Sequence, residues 1–93
     1  MSLRPATRAD LDRIRAVQAE WWDGRDLTAL LQPLFLENFA STSLIADDAD
    51  GSLAGFLIGF PSQDQPTVAY VHFIGVAPTH RGAGLGRALH EAF

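Results

Sequence analysis

TVAYVHFIGVAPTHRGAGLGRALHEAF, residues Thr67 to Phe93, decides how the rest of the chain is read. Val68 to Val76 is an apolar run and reads as a strand. Ala77-Pro78-Thr79-His80 breaks it, Arg81-Gly82-Ala83-Gly84-Leu85-Gly86 follows, and then an amphipathic helix begins. A strand that passes through a glycine-rich turn into a helix start is a ready anion site. The first helical turn has N–H groups without intrahelical partners, and the macrodipole places partial positive charge there. Glycine lets the backbone approach a ligand closely and take positive φ at little steric cost. The stretch reads as a pyrophosphate cradle; the plain alternative is a glycine-rich turn that binds nothing.

Three glycine-loop types compete for it. A P-loop needs Gly-Lys followed by Ser or Thr, and this chain has no lysine. A dinucleotide fingerprint needs GxGxxG in a βαβ unit, whereas here Gly82, Gly84 and Gly86 alternate and Arg87 stands where the last glycine would fall. The third type is RGxGxG after a strand ending Val-x-Pro. Val76-Ala77-Pro78-Thr79-His80-Arg81-Gly82-Ala83-Gly84-Leu85-Gly86-Arg87-Ala88-Leu89 resembles the coenzyme A-binding motif of the GNAT superfamily of acyl-CoA N-acyltransferases.

The resemblance implies direct acyl transfer from acetyl-CoA to a primary amine in a ternary complex, with no covalent enzyme intermediate. It places the cofactor against Arg81, Gly82, Ala83, Gly84, Leu85, Gly86 and Arg87, with Arg81 meeting a phosphate oxygen through its side chain or N–H. Arg87 either reaches a phosphate or is simply exposed. Backbone groups of Ile74 and Val76 match those that hold the pantetheine arm and polarise the thioester. Period-two alternation puts Tyr70, His72, Ile74 and Val76 on one strand face. Many family members carry a carboxylate at the position of His72, and histidine as a residue type titrates near neutrality, so His72 is the candidate general base or water relay, with Tyr70 weaker. The plain alternative for His72 is a half-buried strand residue bonded to a neighbour. His80 reads as a loop residue near phosphate, and His90 as a surface residue of the cradle helix.

Ninety-three residues make one domain at most, and 47% apolar content predicts a core. Seven arginines against eleven acids give a formal charge of −4, which argues against general nucleic-acid binding and hints at a cationic acceptor. No apolar run approaches membrane-spanning length. The chain has no cysteine, which rules out disulfides, a Cys nucleophile and thiolate zinc sites and fits a cytoplasmic setting. No His, Asp or Glu spacing suggests a metal site.

Upstream, Ser2 to Ala6 is an extended lead-in, with Arg4 held out of helix by Pro5. Thr7 reads as an N-cap with Asp10 three residues on. Leu11, Ile14, Val17 and Trp21 form the apolar stripe of a helix over Arg8–Trp22, its Arg and Asp residues a solvated face. Gly24 reads as its C-terminal breaker. The Trp21–Trp22 pair is expected to place one indole in the core and one half exposed. Asp26 to Phe39 is a second helical region that Pro33 divides. By resemblance this segment borders the acceptor site; the plain reading of its apolar residues is core. Ser43–Ala46 and Leu53–Phe60 read as strands two and three, joined by a solvated turn over Asp47–Ser52. Gly55 and Gly59 predict a bulge or a close backbone approach. Thr67 to Val76 is strand four.

These elements give a single domain over residues 1–93 of the α/β (α+β) class. It is a mixed, mostly antiparallel sheet with flanking helices in the order β-α-α-β-β-β-α, similar to the first half of a GNAT domain. The family fold continues after the cradle helix, whereas this chain stops at Phe93 without a C-cap signal. Strand 68–76 would then present an open edge, from which a homodimer or a swapped oligomer is expected. Two further readings compete with the acyltransferase: a non-catalytic GNAT-derived fragment or interaction module with weak or no CoA binding, and an unrelated nucleotide-binding domain. Competition of CoA against ATP or NAD separates the last.

Overall fold

The computed structural model describes residues 1–25 and 27–93. Four strands, β1 (Ser2–Pro5), β2 (Leu44–Asp47), β3 (Leu53–Pro61) and β4 (Ala69–Val76), form one sheet in sequence order, each pair antiparallel. The helices are α1 (Asp10–Ala16), α2 (Gln18–Trp21), α3 (Leu34–Asn38) and α4 (Leu85–Ala92), with short 3-10 turns at Thr28–Leu30, Ala40–Thr42 and Pro78–His80. The predicted strand bounds shift by one or two residues: β2 runs one residue later, β3 extends to Pro61 and β4 starts at Ala69.

β3 is the middle of the molecule. Its run Leu53-Ala-Gly-Phe-Leu-Ile-Gly-Phe-Pro61 is buried almost throughout because both sheet faces are covered, which selects continuous apolar sequence over alternation. On one face Phe56 and Ile58, with Ile45 and Phe73, pack against Leu11, Ile14, Trp21 and Leu36 of α1 to α3. On the other, Leu57 and Ala46 meet Leu85 and Leu89 of α4. Trp21 is buried and Trp22 half-buried, as expected. Gly59 is the close approach that the sequence announces. A Cβ there would stand 2.7 Å from the Tyr70 carbonyl oxygen and 2.7 Å from Phe93 Cζ.

The helix expected over Arg8–Trp22 is broken at Val17 (φ −98, ψ 0), where its N–H donates to the Ile14 carbonyl, an i−3 bond that tightens the turn. The second helical region divides at Pro33 as expected; its opening residue, Asp26, lies outside the described residues. Pro33 sits just ahead of α3, where a missing N–H costs nothing. Gly24 follows α2 at φ +84.

Only part of the charged face of α1 is solvated: Asp12 is exposed, but Asp10 is buried and Arg13 and Arg15 are half-buried. The Asp10 carboxylate is buried and accepts from Arg4 Nη1 and Nη2 (both 2.9 Å), from Arg13 Nη1 (3.2 Å), and from the Thr7 N–H (2.8 Å) and hydroxyl (3.1 Å). Thr7 therefore donates its hydroxyl, and it is the acid that reaches back to cap. Asp47, expected in the turn, instead ends β2 and accepts from Arg4 (2.8 Å) and Arg13 (2.9 Å). This network ties β1, α1 and β2 together.

Burial alone would raise the Asp10 carboxyl. The bonds from Arg4 and Thr7 outweigh it and hold the group at about 2, below the ordinary carboxylate value of 3.8. A depressed carboxylate stabilises the fold fully above its unfolded value near 3.9 and loses that contribution as pH falls toward 2, worth about 2 kcal/mol. Asp47 is depressed as well, the Arg13 and Arg4 bonds outweighing burial, and adds in the same direction. Asp10→Asn is expected to cost about 2–3 kcal/mol at neutral pH and to flatten the fall in stability between about pH 4 and pH 2. Urea titrations across that range measure both; an unchanged acid limb would refute the assignment.

Candidate functional site

The cradle is built by local backbone rules. Val76 ends β4, and Pro78–His80 makes one 3-10 turn. Gly82 (φ +81) and Gly84 (φ +86) then take left-handed conformations that a Cβ would strain. Gly84 caps α4, which starts at Leu85, earlier than the sequence predicts. Leu85, Gly86 and Arg87 are therefore its first turn. The N–H groups of Gly82, Gly84, Leu85, Gly86 and Arg87 have no hydrogen-bond partner among the described residues. A Cβ on Gly82 or Gly84 would meet no heavy atom within 4 Å, and one on Gly86 only Val76 Cγ2 at 3.8 Å. Amides without partners, beside open space at the positive end of an eight-residue helix, fit a phosphate-bearing ligand.

The other cradle residues divide between support and exposure. Leu85 is buried and anchors the first turn in the core beside Leu89. Ala83 is exposed, and its N–H reaches back to the His80 carbonyl at 3.4 Å. Arg87 is exposed and pairs with Glu91 at 2.9 Å. His80 does not stand free at the loop. Its Nε2 is 2.9 Å from Asp48 Oδ2, so it ties the cradle to the β2–β3 turn. The Arg81 guanidinium is held by backbone carbonyls, Nε donating to Val76 (3.2 Å) and Nη2 to Trp21. His90 is exposed on α4, as the sequence suggests.

β4 lies at the sheet edge. The Ala77 N–H donates to the Ala54 carbonyl on β3 at 2.8 Å, while the Val76 carbonyl faces Arg81. Backbone direction alternates along a strand, so the main-chain groups of Val76 and Ile74 point to the free edge. An extended amide-bearing chain can pair with that edge.

The face assignment of β4 needs correction. Its pairing with β3 slips between Ile58↔Phe73 and Gly59↔Val71, leaving His72 as an extra residue in a bulge. Beyond the bulge the alternation is out of phase. Ile74 and Val76, with Val71, pack on the α4 side, while Tyr70 and His72 lie on the α3 side. The His72 ring stacks on Phe35 (4.0 Å, 12°), and Tyr70 lies against Phe60 (5.4 Å). His72 Nε2 bonds the Leu30 carbonyl. A carbonyl only accepts, so Nε2 carries the proton and Nδ1 of the neutral ring is left as the basic atom. Tyr70 is half exposed, at 53%. Leu30 and Phe35 are contacts of the candidate base that no local signal identifies, since each is more than thirty residues away in sequence. Among the described residues there is no enclosed pocket and no cluster of three or more metal-ligating side chains.

The fold is thus a four-stranded antiparallel meander that feeds a row of open amides at a helix start. A sequence model of the acetyltransferase (GNAT) family matches residues 9–93, and the chain belongs to that family. It is 32% identical over 89 residues to the L-2,4-diaminobutyric acid acetyltransferase of Streptomyces anulatus, covering 89% of this chain and 51% of that protein. It is 38% identical over 56 residues to the enzyme of that name from Nocardia farcinica, covering 60% and 28%. The chain thus spans about half the length, or less, of these curated relatives. In structure it is similar to the diaminobutyrate acetyltransferase of Paenibacillus lautus, solved with L-2,4-diaminobutyric acid and coenzyme A. That match has a TM-score of 0.76 at 24% identity, over 98% of this chain and 54% of that one. It is also similar to an Escherichia coli GNAT N-acetyltransferase solved with CoA, with a TM-score of 0.75 at 22% identity, over 98% and 52%. No helix among the described residues is long and apolar enough to cross a membrane.

Proposed function

We propose that this chain carries the acetyl-CoA-binding half-site of an N-acetyltransferase whose acceptor is the primary amine of a small diamino acid. The observation that carries the proposal is the set of N–H groups of Gly82, Gly84, Leu85, Gly86 and Arg87, beside open space and without hydrogen-bond partners among the described residues. The names of the sequence relatives support the acceptor class, and a net charge of −4 suits a cationic amine.

Acetyl-CoA supplies a thioester carbonyl with a thiolate leaving group. The chain's own residues do the rest. The cradle amides hold the pyrophosphate, and the edge groups of Ile74 and Val76 orient the pantetheine arm. A donor aimed at developing oxyanion charge is worth about 2.7–4 kcal/mol in a measured case. His72 takes one proton from the acceptor ammonium at Nδ1 and keeps its Nε2–H on the Leu30 carbonyl. The freed nitrogen forms the C–N bond as the C–S bond breaks, and the proton it then sheds neutralises the thiolate. Tyr70 borders the same approach from the α3 side.

Acetyl transfer to L-2,4-diaminobutyrate, against a panel of mono- and diamines, tests this function. His72→Ala is expected to lower kcat about 10²–10³-fold and to leave the KM for acetyl-CoA unchanged. An unaltered kcat would remove His72 from the mechanism. The free β4 edge is also where a second chain can pair, and light scattering beside the assay reads the homodimer that such pairing implies. A monomer at every concentration would rule the homodimer out.

A further inference from the structure

We propose that Arg81 is a positioning residue of the cradle, holding the Gly82–Arg87 amides in place through two backbone carbonyls instead of contacting phosphate itself. The inference rests on the acetyl-CoA reading above, but its geometry is independent of it. Arg81 is extended (φ −69, ψ 141) at the point where the chain leaves the 3-10 turn and enters the left-handed Gly82. His80, bonded to Asp48, restrains the corner on one side and buried Leu85 on the other, but between them the backbone bonds are long: Arg81 N–H to Pro78 and Ala83 N–H to His80 are both at 3.4 Å. The guanidinium reaches back five residues to Val76, at the end of β4, and sixty residues to Trp21, the last residue of α2.

Both carbonyls suit a cation. Trp21 lies in the last turn of α2, where carbonyls lack intrahelical partners and carry partial negative charge. No other donor reaches its oxygen among the described residues. The Val76 carbonyl points to the free edge and has a second lone pair, so Arg81 and a ligand amide can share it. Arginine's planar fork serves two acceptors at fixed directions, which lysine's point charge does not. The tie also joins two regions. Trp21 and Trp22 pack on Phe56 and Phe73 on the α3 side of the sheet, while the cradle amides belong to the helix on the opposite side. Arg81 is thus the mechanical link between the cofactor cradle and the segment that leads toward Leu30 and His72.

Two measurements on Arg81→Ala and Arg81→Gln test the proposal. In the ligand-free protein, backbone ¹⁵N relaxation is expected to show the order parameters of the Gly82 and Gly84 amides falling in Arg81→Ala from a rigid value toward about 0.6, with β3 unchanged. Well below the melting transition, acetyl-CoA affinity is expected to fall about tenfold, or about 1.4 kcal/mol, with the same salt dependence as the wild type. Arg81→Gln, whose neutral amide still donates to a carbonyl, recovers part of both losses. A loss of affinity in which the salt slope drops by about one would show a phosphate contact and overturn the proposal. Unchanged order parameters, or a lower melting temperature with unchanged affinity, would overturn it equally. If the wild type fails to bind acetyl-CoA, the functional reading falls, and the relaxation measurement alone decides the role of Arg81.

Discussion

Gly84→Asp is expected to weaken acetyl-CoA binding by more than about 100-fold while leaving the chain folded. Gly84 sits at φ +86 and ψ 9, where an L-residue pays about 1–2 kcal/mol in backbone strain. Beyond its chain neighbours the added Cβ meets no protein atom within 4 Å, so no packed side chain has to move. What the carboxylate meets is the space in front of the cradle amides. A negative charge about 5 Å from a phosphate, at an effective dielectric near 20, is unfavourable by about 3 kcal/mol, or more than 100-fold. Gly84→Ala separates the two terms, since it carries the backbone strain without the charge. Calorimetric titration of both variants should show the alanine protein binding within about tenfold of wild type and the aspartate protein not binding measurably. Equal affinity in the aspartate variant would mean that the pyrophosphate does not lie here, and the cradle would be a structural turn.

The second large effect falls on stability. Gly75→Ala is expected to cost about 3–5 kcal/mol, a large fraction of the stability of a domain this size. A Cβ at Gly75 would stand 2.7 Å from Phe56 Cε1, 2.8 Å from Phe56 Cζ and 2.7 Å from Trp22 Cη2. Gly75 and Phe56 are direct partners across β3 and β4, and Phe56 is fully buried. The Phe56 ring cannot withdraw. It stacks on Trp21 (5.9 Å, 15°) and meets Phe73 edge-on (5.2 Å, 75°), so displacing it disturbs the whole aromatic layer. Gly86→Ala is the matched comparison in α4. Its Cβ lands at ordinary contact distance, 3.8 Å from Val76 Cγ2, and alanine is the better helix former by about 1 kcal/mol. Thermal melts of the two variants should move in opposite directions. A Gly75→Ala protein as stable as wild type would show that this layer yields, and that glycine is not required beneath Trp22.

The two variants also mark two kinds of glycine in one chain. Gly75 is required by the protein's own side chains, whereas Gly82 and Gly84 face open space and are required by their positive φ. Sequence inspection sees both only as glycine. For Gly59 the sequence announces a close approach, but that the neighbours are the Tyr70 carbonyl and Phe93 depends on the β3–β4 register and on α4 crossing β3.

Local sequence set the order of elements apart from the break at Val17, the division at Pro33, the strand segments and the strand–glycine–helix turn. Each follows from interactions within a few residues: apolar runs, a proline without an N–H, glycines that admit positive φ, and a helix start that leaves amides unpaired. Only the tertiary structure decided three things that bear on chemistry. The bulge at His72 depends on the register between β3 and β4, and one extra residue is enough to turn His72 toward Phe35 while Ile74 and Val76 pack under α4. The Arg81 guanidinium finds the carbonyl of Trp21, sixty residues away, because α2 ends beside the exit of β4. Asp10 is buried only because Arg4, on β1, and Arg13, one turn along α1, converge on it. A charged or polar group takes whichever partner the folded chain brings within hydrogen-bond reach, and that choice is made by packing across the sheet, not by neighbours in sequence.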